Sequence, residues 1–436
     1  MQKDKMKYTR KHVLQYTAEN DVKFIKLFFT DILGFVKSVS IMSNELEHAF
    51  ESGISFNAAS VRGFAGMNAA DLYLSPDSDT LAVLPWRPQQ GRVVRLFCNV
   101  VNPDRTPFAG DSRRILARVA EEATALGLSC NTGTECGFYL FETDEKGLPT
   151  RTPQDTASYC DLAPRDKAEN IRREICLTLK QMGLEPETSR HESGPGQQEI
   201  VFRHSDILAA ADNLTTFKIA VQTVAARNGL FASFLPKPVE GASGSGLHIN
   251  LSLYRDGKNL FASEGIPLES SEQLLPEAQW FIAGILRRSR EITAFLNPLR
   301  SSYARFGAPD APRYVSWAPV FRSHLVRIPA ASGEYARMEL RSPDPACNHY
   351  AALALVLAAG IEGIRDRQAL QPPSAFDACR ASPAETAGLE KLPESLAEAA
   401  ALAETSEFAA RVLSGETIRA YIRLLTDGSE PEFGEI

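Results

Sequence analysis

Four short segments constrain any fold this chain can adopt, because each puts an ionisable group where a strand core should be apolar. They are "GTECGFYLFE" with Glu135, "HESGPGQQEI" with Glu192 and Glu199, "SGLHINLSLY" with His248, and "ARMELRSPDP" with Glu339 and Arg341. Alternate residues of a strand share a face, so Glu339 and Arg341 point the same way. An unpaired carboxylate buried away from water costs several kcal/mol and persists only beside a metal ion, hydrogen bonds or a cation. A solvated strand face would explain any one of these segments. Four together point to a shared polar centre. Carboxylates joined by one imidazole suit Mg2+ or Mn2+, with phosphate oxygens completing the coordination.

Arginines supply the second half of the pattern. Arg305, Arg322, Arg327, Arg337 and Arg341 crowd one region, interleaved with "LVRIP" and "MELRSPDP". Guanidinium forks grip carboxylates and phosphates bidentately and stabilise charge on a transferring phosphoryl group. The stretch "GASGSG" lacks the Lys-Ser/Thr of a phosphate loop and precedes a strand, so it is not read as one.

The chain of 436 residues has room for more than one domain and a large core. A net charge of -7 gives no broad reason to bind nucleic acid. No apolar run approaches the roughly 18 residues that span a bilayer, so no membrane segment is expected. The start "MQKDKMKYTRKHVLQ" lacks the apolar core of a signal peptide. Seven cysteines without CxxC spacing read as reduced thiols, and a cytoplasmic location is expected.

The first hundred residues read as a small sheet-rich unit. Helices are expected at 8–18 and 44–52, a strand hairpin in "KFIKLFFTDILGFVKSVSI" turning near Gly34, and strands in "TLAVLPW" and "RVVRLFCNVV". From Ser112 amphipathic helices alternate with strands. This divides the chain into 1–105 and 106–436, an α+β organisation.

In order and spacing, "NPDRTPFAGDSRRIL", "GTECGFYLF", "HESGPGQQEI", "FLPKPVEGASGSGLHINLSL", "FRSHLVRIPA" and "MELRSPDPACNHYAALALVLAAGIEGI" resemble bacterial type I glutamine synthetase. The resemblance implies an amino-terminal β-grasp domain and a catalytic domain with an antiparallel, funnel-shaped sheet. It also implies a homo-oligomer, a hexameric ring or a dodecamer of two rings, with active sites between neighbouring subunits. The implied reaction is ATP-dependent amide formation from glutamate and ammonia through γ-glutamyl phosphate, with two divalent ions neutralising charge. Position by position, Glu135, His248 and Glu339 match the ligands of the nucleotide-side metal, and Glu192 and Glu199 match two ligands of the glutamate-side metal. Arg305 and Arg341 match the glutamate clamp, with Gly244 offering backbone. Glu187, Asn250, Ser252, Arg322 and Arg327 match ATP contacts, and Arg322 also fits a phosphoryl-stabilising role.

Several positions depart from the family pattern. The aspartate that binds and deprotonates ammonium is Asn57, within "SFNAASVRGF". A third carboxylate of the glutamate-side metal, expected two residues after Glu135, is Gly137. The flap glutamate is Asp310, a lysine near the nucleotide is Glu334, and the tail "LLTDGSEPEFGEI" is short for a segment that clasps an opposite ring. The chain is thus expected to be a glutamine synthetase, with a γ-glutamyl ligase for another amine and a catalytically impaired nucleotide-binding homologue as alternatives.

Overall fold

The computed structural model describes residues 8–67, 71–262, 273–309 and 311–427. Its first sheet contains β1 (Val22–Thr30), β2 (Val36–Met42), β3 (Ile54–Asn57), β4 (Asp71–Pro76), β5 (Ala82–Val83) and β6 (Arg92–Val101). The order is β2-β1-β6-β4-β3, with β5 also paired to β6. The expected hairpin is β1–β2. It turns because the Asp31 carboxylate accepts from the backbone N–H of Leu33 at 3.0 Å and of Phe35 at 2.9 Å. Gly34 completes the turn at φ +91, a left-handed conformation that suits glycine.

At the centre β1 runs parallel to β6, and a parallel pair needs a long crossover. The intervening chain, including the helix Leu46–Ser52, β3 and β4, supplies it. Two details differ from the sequence reading. "TLAVLPW" yields only the two-residue β5, since Pro85 has no N–H to continue the ladder. Conversely, β3 and β4 form where no strand is expected, with "SFN" of "SFNAASVRGF" closing β3 at Asn57.

The second sheet is built on one long strand, β7 (Ser129–Thr143). Around it lie β8 (Pro149–Pro153), β9 (Pro186–His191), β10 (Gln197–Phe202), β11 (Ser205–Asp206), β12 (Leu230–Ser233), β13 (Leu247–Arg255) and β14 (Lys258–Asn259). Three short strands, β15 (Trp317–Ala318), β16 (Val326–Arg327) and β17 (Met338–Leu340), complete it. The main path is β15-β16-β17-β13-β7-β10-β9. Residues directly opposite in an antiparallel ladder share a face. The register sets His248 opposite Glu135, Glu199 opposite Gly137, Asn250 opposite Glu339, and Arg190 opposite Glu199. Five strands thereby gather the ionisable groups that the sequence scatters. The helices Ile207–Arg227, Pro276–Leu296 and His349–Asp366 carry most of their length as buried apolar surface beside this sheet.

A buried ionic joint links the two sheets. Arg113, at the start of the helix Ser112–Ala125, meets both oxygens of Asp212 at 2.9 Å. It also donates to Asp77 at 2.8 Å and to the Asn99 side chain at 3.0 Å, both in the amino-terminal unit. The Tyr350 hydroxyl donates to Asp212 at 2.7 Å. Nearby, Asn348 donates to the Ile32 carbonyl and to Ser112, each at 3.1 Å. Removing Arg113 strands buried negative charge, so Arg113→Met is expected to lose about 3–5 kcal/mol of stability. Arg114 pairs with Glu121 at the exposed edge of the same helix, and Arg114→Met is expected to lose under about 1 kcal/mol. Denaturant unfolding followed by tryptophan fluorescence checks both, and equal effects would contradict the role given to the joint.

Candidate active site

The site is assembled around His248. Its Nδ1 is buried, has no hydrogen-bond partner among the described residues, and lies 3.5 Å from Glu135 Oε2 and 3.5 Å from Glu339 Oε1. Asn250, two residues along β13, donates to Glu135 Oε1 at 3.0 Å and accepts from Arg337 Nε at 2.8 Å. Burial pushes the Glu135 carboxyl up, but the His248 ring, the Asn250 amide and the Arg190 charge outweigh it and hold it at about 2.

Glu339 is almost sealed, and two guanidinium groups compensate it. Arg341, itself fully buried, contacts Oε1, and Arg327 donates to Oε2 at 3.0 Å. Arg341 also donates through Nε to the Arg322 carbonyl at 2.7 Å, which fixes the chain leading into β16. Two of its donors, Nε and Nη1, are thus directed into the protein.

Glu199 differs from Glu135. Burial and the charges of Glu192, Glu135 and Glu339 push its carboxyl up to about 8, against the pull of Arg190. Arg190 donates from Nε to Glu192 at 3.0 Å and contacts Glu199 through Nη2. One ligand atom each from Glu135, Glu199 and His248 lies within 4.8 Å of the others. The resemblance assigns Glu339 to that metal and Glu199 to another; in the structure Glu199 joins Glu135 and His248, while Glu339 is held by arginines. Two carboxylates and an orphaned imidazole nitrogen fit one Mg2+ or Mn2+.

A second acidic group, Asp155, Asp166 and His191, is equally close-set. Its donors are already used. His191 meets the Glu192 carbonyl at 2.7 Å and Asp155 at 2.9 Å, and Arg172 grips Asp166. Burial lowers the His191 pKa, but the Asp155 carboxylate and the Glu192 carbonyl outweigh it and leave it raised. This group braces the turn carrying Glu192.

Arg305 is buried beside the site, with its Nη1 on the Ser342 carbonyl at 3.2 Å and its Nε without a partner. Gly244 permits this placement, since a β-carbon there would lie 2.6 Å from Arg305 Cγ and 2.7 Å from the Pro236 carbonyl. Arg327 is half-buried and Arg322 exposed. Ser252 is turned to the Ala336 carbonyl at 3.0 Å, and Glu187 is exposed on β9. Asn57 is exposed on the other sheet; its side chain bonds only Ala59 N–H at 3.0 Å and Ser60 at 3.1 Å among the described residues. Asp310 lies outside the described residues.

Sequence reading missed Arg190 and Gly246. The i, i+2 spacing of Arg190 and Glu192 was the available signal for the first. Gly246 has none in isolation: a β-carbon there would sit 2.9 Å from His248 Nε2.

Residues 21–103 match the family model of the glutamine synthetase β-grasp domain, and residues 109–431 that of the glutamine synthetase catalytic domain. The glutamine synthetase of Clostridium saccharobutylicum is 44% identical over 421 residues, covering 95% of this chain and 94% of that protein. That of Methanosarcina mazei is 42% identical, covering 95% and 92%. Among solved structures, a GmaS/ADP complex superposes with a TM-score of 0.84 at 30% identity, covering 94% of each chain. Plasmodium falciparum glutamine synthetase shares the fold at a TM-score of 0.84 and 21% identity, covering 97% of this chain and 96% of that one. With both domains matched and relatives this similar along nearly the whole length, the chain belongs to the glutamine synthetase family.

Proposed function

We propose that this protein is an ATP-dependent glutamate–ammonia ligase that activates glutamate as γ-glutamyl phosphate and lets ammonia displace the phosphate. The orphaned His248 nitrogen between two carboxylates, ringed by arginines, carries this reading: it is a polar centre left incomplete without a cation and an anionic ligand. A divalent ion held by Glu135, Glu199 and His248 would neutralise phosphate charge during transfer. Arg305, buried with an unpartnered Nε, presents charge to the glutamate carboxylate. Arg327 and Arg322 would supply charge to the phosphates, and Arg341 keeps Glu339 and the Arg322 backbone in place. Asn250 fixes Glu135 rather than meeting solvent, which ties the nucleotide side to the metal side.

The relatives identical at 39–44% are all named glutamine synthetase, which favours ammonia over a larger amine. Release of ADP is expected to require both glutamate and ammonium, with glutamine as the product identified by mass. Turnover only with a substituted amine would refute the acceptor, and nucleotide binding without turnover would refute the ligase.

Asn57 is proposed to face the acceptor site of a neighbouring subunit. It caps the turn Ala58–Ser60, a place that aspartate fills equally well. Asn57→Asp is therefore expected to fold normally and to lower the ammonium KM about tenfold, the worth of roughly 1.4 kcal/mol from a charge-assisted contact, with the ATP KM unchanged. Initial-rate kinetics in both substrates check this; an unchanged ammonium KM would remove Asn57 from the acceptor site.

Because that arrangement needs a neighbour's amino-terminal sheet, the protein is proposed to form at least a hexamer. Sedimentation velocity at micromolar concentration is expected to show it, and a monomer would contradict a shared site.

A further inference from the structure

The glutamate side of the site does not fit a second divalent ion. The carboxylates there are Glu192 and Glu199, and the position opposite Glu199 on β7 is Gly137, which brings no ligand atom. The space between the two carboxylates is bridged by Arg190. Its strand position faces Glu199, its Nε donates to Glu192 Oε1 at 3.0 Å, and its Nη2 contacts Glu199 Oε2. Tyr159 lies under the guanidinium with the ring centroid 6.0 Å away, a further contact that holds the cation in place. An ion at this point would have two carboxylates to hold it, each already in contact with a group of the ion's own sign.

We propose that Arg190 is the permanent cation of the glutamate side, standing where a metal ion would otherwise bridge Glu192 and Glu199, so that each subunit binds a single divalent ion through Glu135, Glu199 and His248. The consequence is chemical as well as structural. A guanidinium neither dissociates nor loses its proton in the working pH range, and it gives directed N–H bonds instead of an open coordination sphere. Arg190 Nη1 has no hydrogen bond among the described residues, and the side chain is 26% exposed, so it remains available to an anionic group of the substrate. Glu199 becomes the shared residue, with the metal on one side and Arg190 on the other. Which substrate group meets Nη1 rests on the ligase reading; the number of ions does not.

The test is the ion count on the full chain without nucleotide, by Mn2+ titration with free ion followed by electron paramagnetic resonance. One Mn2+ per subunit is expected; none or two would overturn the proposal. The double variant Gly137→Glu, Arg190→Ala is expected to take up a second Mn2+. A β-carbon at Gly137 would meet Ser245 and Gly246 at 3.5–3.6 Å, ordinary contact distances, so the strand has room for the first carbon of the new side chain. A folded double variant still holding one ion would also overturn it, and if that variant fails to fold, the count on the unmodified protein decides alone. The count needs no turnover. Two ions with normal glutamine synthesis would refute only this proposal, and one ion without synthesis only the ligase.

Discussion

The buried carboxylate of Glu339 is the constraint on which the catalytic face depends. At 2% exposure it has almost no water, and its charge is stable only because Arg341 and Arg327 each contribute a guanidinium. Those arginines then have fixed positions. Arg341 ties the Arg322 carbonyl, Arg327 lies across the ladder from Glu339 on β16, and the short β15–β17 strands are held against β13. From the other side, Arg337, Asn250 and Glu135 form a run of hydrogen bonds ending beside His248. In a medium of low polarity such bonds reinforce one another, and leaving the His248 Nδ1 out of them is correspondingly costly. That nitrogen marks where a ligand belongs.

Two residues of one type behave oppositely a few ångströms apart. Both Glu135 and Glu199 are buried, and burial raises both. Glu135 has the imidazole, an amide and the charge of Arg190 on its side and falls to about 2. Glu199 faces three other carboxylates and rises to about 8. Neighbouring charges, not side-chain chemistry, decide the outcome.

Much of this was legible before any coordinates. Polar residues in apolar strands announced Glu135, Glu199, His248 and Glu339, because strand burial leaves few ways to satisfy a charge. The β1–β2 hairpin was legible from its aromatic content and Gly34. What sequence did not show were matters of register and reach. β3 and β4 span only four and six residues, so their alternation is too brief to betray a strand. Glu199 comes close to Glu135 and His248 because β10 lies beside β7 in a register that no linear spacing contains. Arg190 precedes a conspicuous His-Glu pair and looks like surface charge until β9 folds it over Glu199. Gly246 becomes meaningful only when His248 and Arg305 close on it.

Arg113 binds Asp212, Asp77 and Asn99 at once, and Asn348 bonds across the same seam. Such a joint has no low-energy partly open form, since separating the sheets would leave several charges dry and unpaired together. The subunit therefore behaves mechanically as one lever rather than as a jaw. Any movement that admits substrate must be smaller than a domain, confined to segments around the sheet. A displacement imposed on the amino-terminal sheet would instead press directly on Asp212, on the helix Ile207–Arg227 beside the catalytic strands.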